Sequence, residues 1–304
     1  MQAVESGVAR YADEMTSTPN DTRHGRTRFA STGPGTRIAY DPGLESRASD
    51  PLPTPVVLLH PLLGDRASLN GLRDALSGSA GCSRRVIVPE ARGHGASAAL
   101  ANRRLSLTDL AADVLAVLDA ESIVAVHLIG EGLGGATAFE LARRRPDRVR
   151  SLTLITPPLW GLLAGDADPA VRAAGEATRR VARQVADLAD RGQTDRALDL
   201  YLDDRLGPGW RERTERSRLG RLRRHAGALA AALTALDSYL VTPDDVRGIV
   251  TPTLLLSSDD PTQVDRLVIE RLAAGLPGSH VATTIPDSGE AVLHDRVIAF
   301  VSMS

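Results

Sequence analysis

Residues 124–135 read V-A-V-H-L-I-G-E-G-L-G-G, and residues 136–145 continue A-T-A-F-E-L-A-R-R-R. The first part is an apolar run of the kind that forms a strand covered on both faces, and it ends at Gly130. Gly130, Gly132, Gly134 and Gly135 then crowd into a single turn. Glycine at that density is needed where a strand bends sharply into a helix and the two backbones pack closely behind the bend. Residues 136–145 have helical composition, so the stretch reads as strand, tight turn, helix, the building unit of an α/β protein.

The same alternation extends along the chain. Residues 28–40 suggest two short strands around the Gly33-Pro34-Gly35 turn, and a Pro/Ser/Asp-rich loop follows at 41–53. Short β-rich runs bounded by turn signals lie at 56–59, 86–88, 123–129, 152–155, 253–256 and 281–285. Helical patterns fall between several of them. Ser106 and Asp109 have the spacing of a capping box, followed by Leu107, Leu110, Val114, Val117 and Leu118 at helical intervals. A doubly wound, mostly parallel sheet with right-handed crossovers is the expected fold class. The alternation stops between 157 and 247, where Val171, Ala174, Val181, Val185 and Leu188 trace one helical face and Leu229, Leu233, Leu236 and Leu240 another. Gly192 and Gly207-Pro208-Gly209 punctuate these helices. The expected organisation is a flexible arm at 1–26, a core formed by 27–156 and 248–304, and an all-helical cap at 157–247. Such a cap would cover the strand C-termini, where open α/β sheets bind ligands.

Composition bounds the class without naming the chemistry. The chain has 304 residues, 42% hydrophobic and 24% charged, enough for a full core. Its formal net charge of −2 gives no electrostatic reason to expect nucleic acid or an anionic membrane as partner. All 36 basic residues are arginine, which with the heavy Ala, Leu and Gly usage points to a GC-rich genome. The single cysteine, Cys82, excludes an internal disulfide and a cysteine-cluster metal site. No apolar run reaches the roughly 18 residues of a membrane span, and the acidic start (Glu5, Asp13, Glu14) lacks a signal-peptide core. A cytoplasmic protein acting on a small molecule, with no cofactor and no metal, is the expectation; its oligomeric state is open.

Five segments in order resemble the α/β-hydrolase superfamily with a helical cap, over about residues 28–301. V-V-L-L-H-P-L-L-G-D at 56–65 resembles the strand and oxyanion loop that usually reads H-G-x-x-G. V-I-V-P-E-A-R-G-H-G-A-S at 86–97 resembles D-x-R-G-H-G-x-S, with Glu90 in place of aspartate. The stretch at 124–135 resembles the G-x-S-x-G nucleophile elbow. P-T-L-L-L-S-S-D-D-P at 252–261 resembles the strand that delivers the acid, with Asp260 in the acid position. I-P-D-S-G-E-A-V-L-H-D at 285–295 resembles the segment carrying the catalytic histidine. Set against the family pattern, Gly132 replaces the serine, Glu290 the histidine and Pro61 the first glycine of the oxyanion loop, leaving Asp260 of the triad. A serine hydrolase needs an oxygen nucleophile activated by an imidazole. Glutamate, with a reference pKa of about 4.3, is a poor substitute base, and loss of nucleophile or base costs on the order of 10⁶ in turnover.

What the resemblance leaves intact is backbone. The oxyanion hole would be formed by the N–H groups of Leu62 and Leu133, with the helix after Gly132 pointing its positive end at the same spot. Glu290 and Asp260, close together in a lidded pocket, would not easily both ionise, so one is expected to titrate upward and exchange protons near neutral pH. A hole for an oxyanion beside a carboxylate base suits proton abstraction next to a carbonyl. The bland alternative is that Glu290 merely fills space. His60, at the end of its strand, is a further candidate for facing the pocket. His94, His294, Ser257, Ser258, Glu131 and Cys82 read as structural or incidental. Three functions follow in order of preference: a non-hydrolytic enzyme (lyase, isomerase or cyclase chemistry on a small carbonyl compound, in specialised metabolism), a ligand- or partner-binding pseudoenzyme, and a residual hydrolase using activated water.

Overall fold

The computed structural model describes residues 26–33, 35–44, 53–78, 84–97, 100, 104–257, 261–282 and 290–304, with backbone alone at 280–282 and 290–292. Eight strands form one sheet: β1 (Arg28–Gly33), β2 (Thr36–Asp41), β3 (Val56–Leu59), β4 (Val86–Pro89), β5 (Val126–Glu131), β6 (Val149–Ile155), β7 (Thr253–Leu256) and β8 (His280–Ala282). Their spatial order is β1-β2-β4-β3-β5-β6-β7-β8. β1 and β2 pair antiparallel, as do β2 and β4, and every pair from β4 to β8 is parallel. The chain therefore leaves β3 and β5 in the middle of the sheet. Their C-terminal ends are the natural place for a ligand.

Period-two alternation on strands buried on both faces produces two core layers. Val57, Leu59, Leu128, Leu152 and Leu154 face one way. They meet α2 (Leu107–Ala120) and α3 (Leu133–Arg144). Val56, Leu58, Val86, Val88, Ile129, Leu254 and Leu256 face the other way. They meet Leu72 and Leu76 of α1 (Asn70–Gly78) and Val297, Phe300 and Val301 of α10 (Glu290–Met303). Between β6 and β7 run α4 (Pro169–Asp190), α5 (Thr194–Leu206), α6 (Arg216–His225), α7 (Leu229–Ser238) and α8 (Pro243–Arg247); α9 (Gln263–Gly275) precedes β8. Among the described residues no helix is long and apolar enough to cross a membrane.

Local chemistry explains the boundaries. Ser106 caps α2 with a reciprocal bond to Asp109, and the same box recurs at Thr242/Asp245 before α8 and Thr262/Asp265 before α9. Gly192, Gly207 and Gly209 hold φ near +75°, which ends helices. The helical stretch is tied to the core by a buried carboxylate: Glu140 on α3 accepts from Thr108 Oγ1 (2.8 Å), Arg144 Nε (2.7 Å) and Tyr239 OH (2.6 Å). Stripped of partners, a charge in that position would be strongly destabilising.

Several sequence expectations shift, among them the start of β6, at Val149 instead of 152. β5 begins at Val126, not at Ile123, because Ile123 and Val124 form the connection from α2. Ile123 N–H donates to Leu118 O, and the carbonyls of both residues accept from Arg148. Val124 is 79% exposed, so β-branched composition there reports a turn's outer edge. Leu240 lies beyond the end of α7 and is exposed. β8 starts one residue early, at His280, and residues 283–285 lie outside the described ones.

The glycines behind the β5–α3 turn mark the closest backbone approach. A Cβ on Gly134 would stand 2.2 Å from Leu59 O, and one on Gly130 2.2 Å from Gly134 O. Backbone on backbone cannot yield. Gly134→Ala is expected to destabilise by about 3 kcal/mol, the upper end for overpacking. Gly220→Ala, in open space on α6, should be neutral or stabilising by up to about 1 kcal/mol. Urea midpoints of the two variants decide the matter, and equal midpoints would refute the close packing.

Candidate functional site

Gly132 occupies the turn between β5 and α3 with φ 53° and ψ −120°, a conformation strained for any residue with a side chain. Two bonds hold it: its N–H donates to Ile155 O (3.0 Å), and its carbonyl accepts from Ala136 N–H (3.0 Å). A Cβ built on Gly132 would point at the Pro61 ring, 3.2 Å from its Cβ. The bend thus faces the loop after β3, and Pro61 fills the space a side chain at 132 would enter.

That loop is a turn closed by Gly64 N–H on Pro61 O (3.0 Å), with Leu63 in the left-handed region at φ 67°. Left-handed leucine costs energy, so its surroundings must hold it there. Asp65 caps the following short helical turn through Ala67 N–H (3.0 Å). The backbone N–H groups of Leu62 and Leu133 donate to no described residue. Both belong to buried residues. Leu133 is the first residue of α3, so its N–H adds to the positive end of that helix.

His60 does not offer a free nitrogen. Its Nδ1–H donates to Pro61 O (2.8 Å) and its Nε2 accepts from Ala91 N–H (3.0 Å), so the ring staples two loops together. Burial, the largest effect, pushes its pKa down; Asp65 and Glu90 act the other way and His225 adds to the depression. With both ring nitrogens engaged, His60 borders the cavity beside Leu133 and Gly134 as a positional element. Glu90, in place of the family's aspartate, performs a similar service: it accepts from Arg66 Nε (3.0 Å) and from Ala96 N–H (2.7 Å), joining the 60–66 loop to the 91–97 loop. Arg92 is fixed on Asp113 by a two-pronged pair at 2.6 and 2.7 Å.

The carboxylates named from sequence cannot be set against this geometry in the same way. Asp260 and Ser258 lie outside the described residues, as does Cys82. Glu290 opens α10, its side chain outside the described set. Ser257 is buried; Glu131 and His294 are half-buried, and all three are partnered. Among the described residues no group of three or more His, Cys, Asp or Glu could hold a metal ion.

Sequence reasoning missed His225. It closes α6, an arginine-rich helix that looks like a solvated face, yet it is buried and its Nδ1–H donates to Leu63 O (3.2 Å). Its ring lies 5.5 Å from that of His94, which lies 5.0 Å from that of His60. No one-dimensional signal joins these three positions. The stack has a consequence for stability. Burial first, then the neighbouring His60, pushes the His94 pKa down to about 3. In the unfolded chain the ring titrates near 6.5, so below that pH unfolding takes up protons that the native ring refuses. Stability is therefore complete above about pH 6.5 and declines as pH falls toward 3. Between pH 7 and pH 5, above the carboxylate range, the expected loss is about 1–2 kcal/mol for this one group. Urea midpoints across that interval should show it, and His94→Gln should flatten the slope. A wild-type midpoint unchanged from pH 7 to pH 5 would contradict the assignment.

Residues 54–296 match the family model described as alpha/beta hydrolase fold. The dihydrolipoyllysine-residue acetyltransferase component of the acetoin cleaving system of Pseudomonas putida is 41% identical over 34% of this chain, which spans only 26% of that protein's length. The sn-1-specific diacylglycerol lipase ABHD11 of Mus musculus is 26% identical over 79% of this chain and 76% of its own. Among solved structures, a hydrolase from Pseudomonas aeruginosa PA01 superposes with a TM-score of 0.65 at 24% identity, covering 91% of this chain and 98% of that one.

Proposed function

Because the chain belongs to the alpha/beta hydrolase fold family, we propose that Gly132 stands at the nucleophile position and that the protein acts on a small carbonyl compound without a covalent intermediate. One observation supports the reading. Leu133 follows Gly132 in the chain and Leu62 follows Pro61, whose ring borders Gly132, and the N–H groups of both leucines donate to no described residue. A carbonyl oxygen that accepted both would be stabilised as negative charge developed on it, with the N-terminus of α3 adding its partial charge. Acidifying the neighbouring C–H is the chemistry such a hole favours. The base that takes the proton is assigned to Glu290, with Asp260 beside it, and the helices between β6 and β7 are assigned the role of a lid that keeps water out. Elimination, isomerisation and ring closure all pass through this step.

A second reading, a ligand-binding protein without turnover, has one observation in its favour. The cavity lined by His60, Leu133 and Gly134 is about 30 Å³, room for little more than a water. The two readings separate in deuterium oxide. Hydroxyacetone and 3′-hydroxyacetophenone incubated with the enzyme should exchange their α-protons above the buffer rate, followed by ¹H NMR. Binding of either compound with exchange no faster than buffer would establish the binding protein instead.

A further inference from the structure

His94 and His225 share an unusual feature. Each ring gives its Nδ1–H to a backbone carbonyl, His94 to Arg92 O (3.1 Å) and His225 to Leu63 O (3.2 Å). A carbonyl can only accept, so in the neutral ring the remaining lone pair sits on Nε2, and Nε2 needs a donor. His60, the third ring of the stack, has one in Ala91 N–H. The Nε2 atoms of His94 and His225 are buried and accept from no described residue. The residues that carry them are 1% and 2% exposed. Buried acceptors are nearly always satisfied, and two on adjacent rings call for a donor supplied from elsewhere.

Position indicates what that donor belongs to. His94 comes from the 91–97 loop of the core and His225 from the end of α6, so the pair lies at the seam between the core and the helices inserted after β6. The seam is tight: a Cβ on Gly93 would touch Ala228 Cβ at 3.3 Å. His225 also grips Leu63, the neighbour of Leu62, whose N–H is one half of the hole assigned above. Parting the helices from the core at this seam would uncover these two nitrogens, next to the loop that carries Leu62.

We propose that the Nε2 atoms of His94 and His225 form a hydroxyl-binding subsite, so that the compound bound at the Gly132 turn is a hydroxylated or enolic carbonyl compound. The inference rests on the reading that this turn binds a carbonyl oxygen. The hydroxyl donates its one proton to one of the two Nε2 lone pairs and a water or a second hydroxyl serves the other, while the carbonyl accepts from Leu62 and Leu133, and the ligand then spans core and lid. A bare ketone would donate to neither nitrogen and bind more weakly. One hydrogen bond corresponds to roughly tenfold in affinity.

The test uses the full chain, uniformly ¹⁵N-labelled at pH 7.5, and two probes: 3′-hydroxyacetophenone and acetophenone. The hydroxylated probe should bind about tenfold tighter, and the Nε2 resonance of at least one of His94 and His225 should move in the direction of an accepted hydrogen bond. Acetophenone should leave both nitrogens unchanged. His225→Phe keeps a ring and removes the acceptor, and it should erase the preference; the wild-type nitrogen spectrum stands as evidence even if that variant folds poorly. Equal affinities, with the Leu62 and Leu133 amides shifting but neither Nε2, would overturn the subsite and leave the carbonyl hole standing. A shift at either Nε2 atom with unmoved amides would keep the subsite and overturn the hole. Nitrogens already hydrogen-bonded before any probe is added, and unmoved afterwards, would show a donor already in place, from water or from the chain itself, and would overturn the subsite. Absence of binding by either probe at millimolar concentration would overturn both.

Discussion

A fluorophosphonate probe will leave this protein unlabelled, and Gly132→Ser alone will not make it react. Labelling of a serine hydrolase needs an oxygen at the elbow and an imidazole to draw its proton, and removing either costs on the order of 10⁶ in turnover. Position 132 has no side chain, and Pro61 borders the space one would enter. A serine Cβ there would sit 3.2 Å from Pro61 Cβ, tighter than ordinary contact, on a backbone at φ 53° that L-residues rarely adopt. On the proposed reading the single serine variant adds strain and gains a hydroxyl without an imidazole to activate it. Pro61→Gly would clear the space, and only the triple change with Glu290→His is expected to restore labelling, read by intact mass as one adduct per chain. Stoichiometric labelling of the unmodified protein, abolished by mutation of one serine, would place the reactive centre elsewhere.

Glu290→Gln is expected to lower α-proton exchange by about 10²–10⁴-fold, the usual share of a general base. The change keeps size and hydrogen-bonding reach while removing the group that titrates. Ketone affinity and thermal stability should stay within experimental error, because the substitution adds no volume and removes no apolar contact. That split, rate lost with binding kept, separates a base from a residue that merely fills the site. Exchange at the wild-type rate in the Gln variant would take Glu290 out of the mechanism.

Much of the architecture is legible in local sequence because it is written in local forces. β3 and, apart from Thr253, β7 appear as apolar runs at their observed bounds, since parallel strands covered on both faces carry few polar positions to blur them. The elbow announces itself through Gly130 and Gly134, whose missing side chains are demanded by backbone oxygens 2.2 Å away from where a Cβ would be. The capping box at Ser106 is equally local. What stays hidden depends on positions far apart in the chain. Nothing in the P-L-L-G loop says that Pro61 will fill the space in front of Gly132. Nothing in R-L-R-R-H says that one histidine will leave a cationic helix face to meet Leu63 and His94. His60 lines the cavity beside Leu133 and Gly134, but nothing in its place at a strand's C-terminal end says that both its nitrogens will be held by backbone groups.

The account stands on the claim that two backbone N–H groups beside a residue without a side chain still bind an oxygen that carries negative charge. Amide NMR of the full chain titrated with oxalate, a planar mimic of an enolate, addresses it most directly. The amide protons of Leu62 and Leu133 should move downfield together, with one shared saturation curve, while the intact mass of the protein stays unchanged. Saturable binding of oxalate that shifts other amides and leaves those two fixed would contradict the claim.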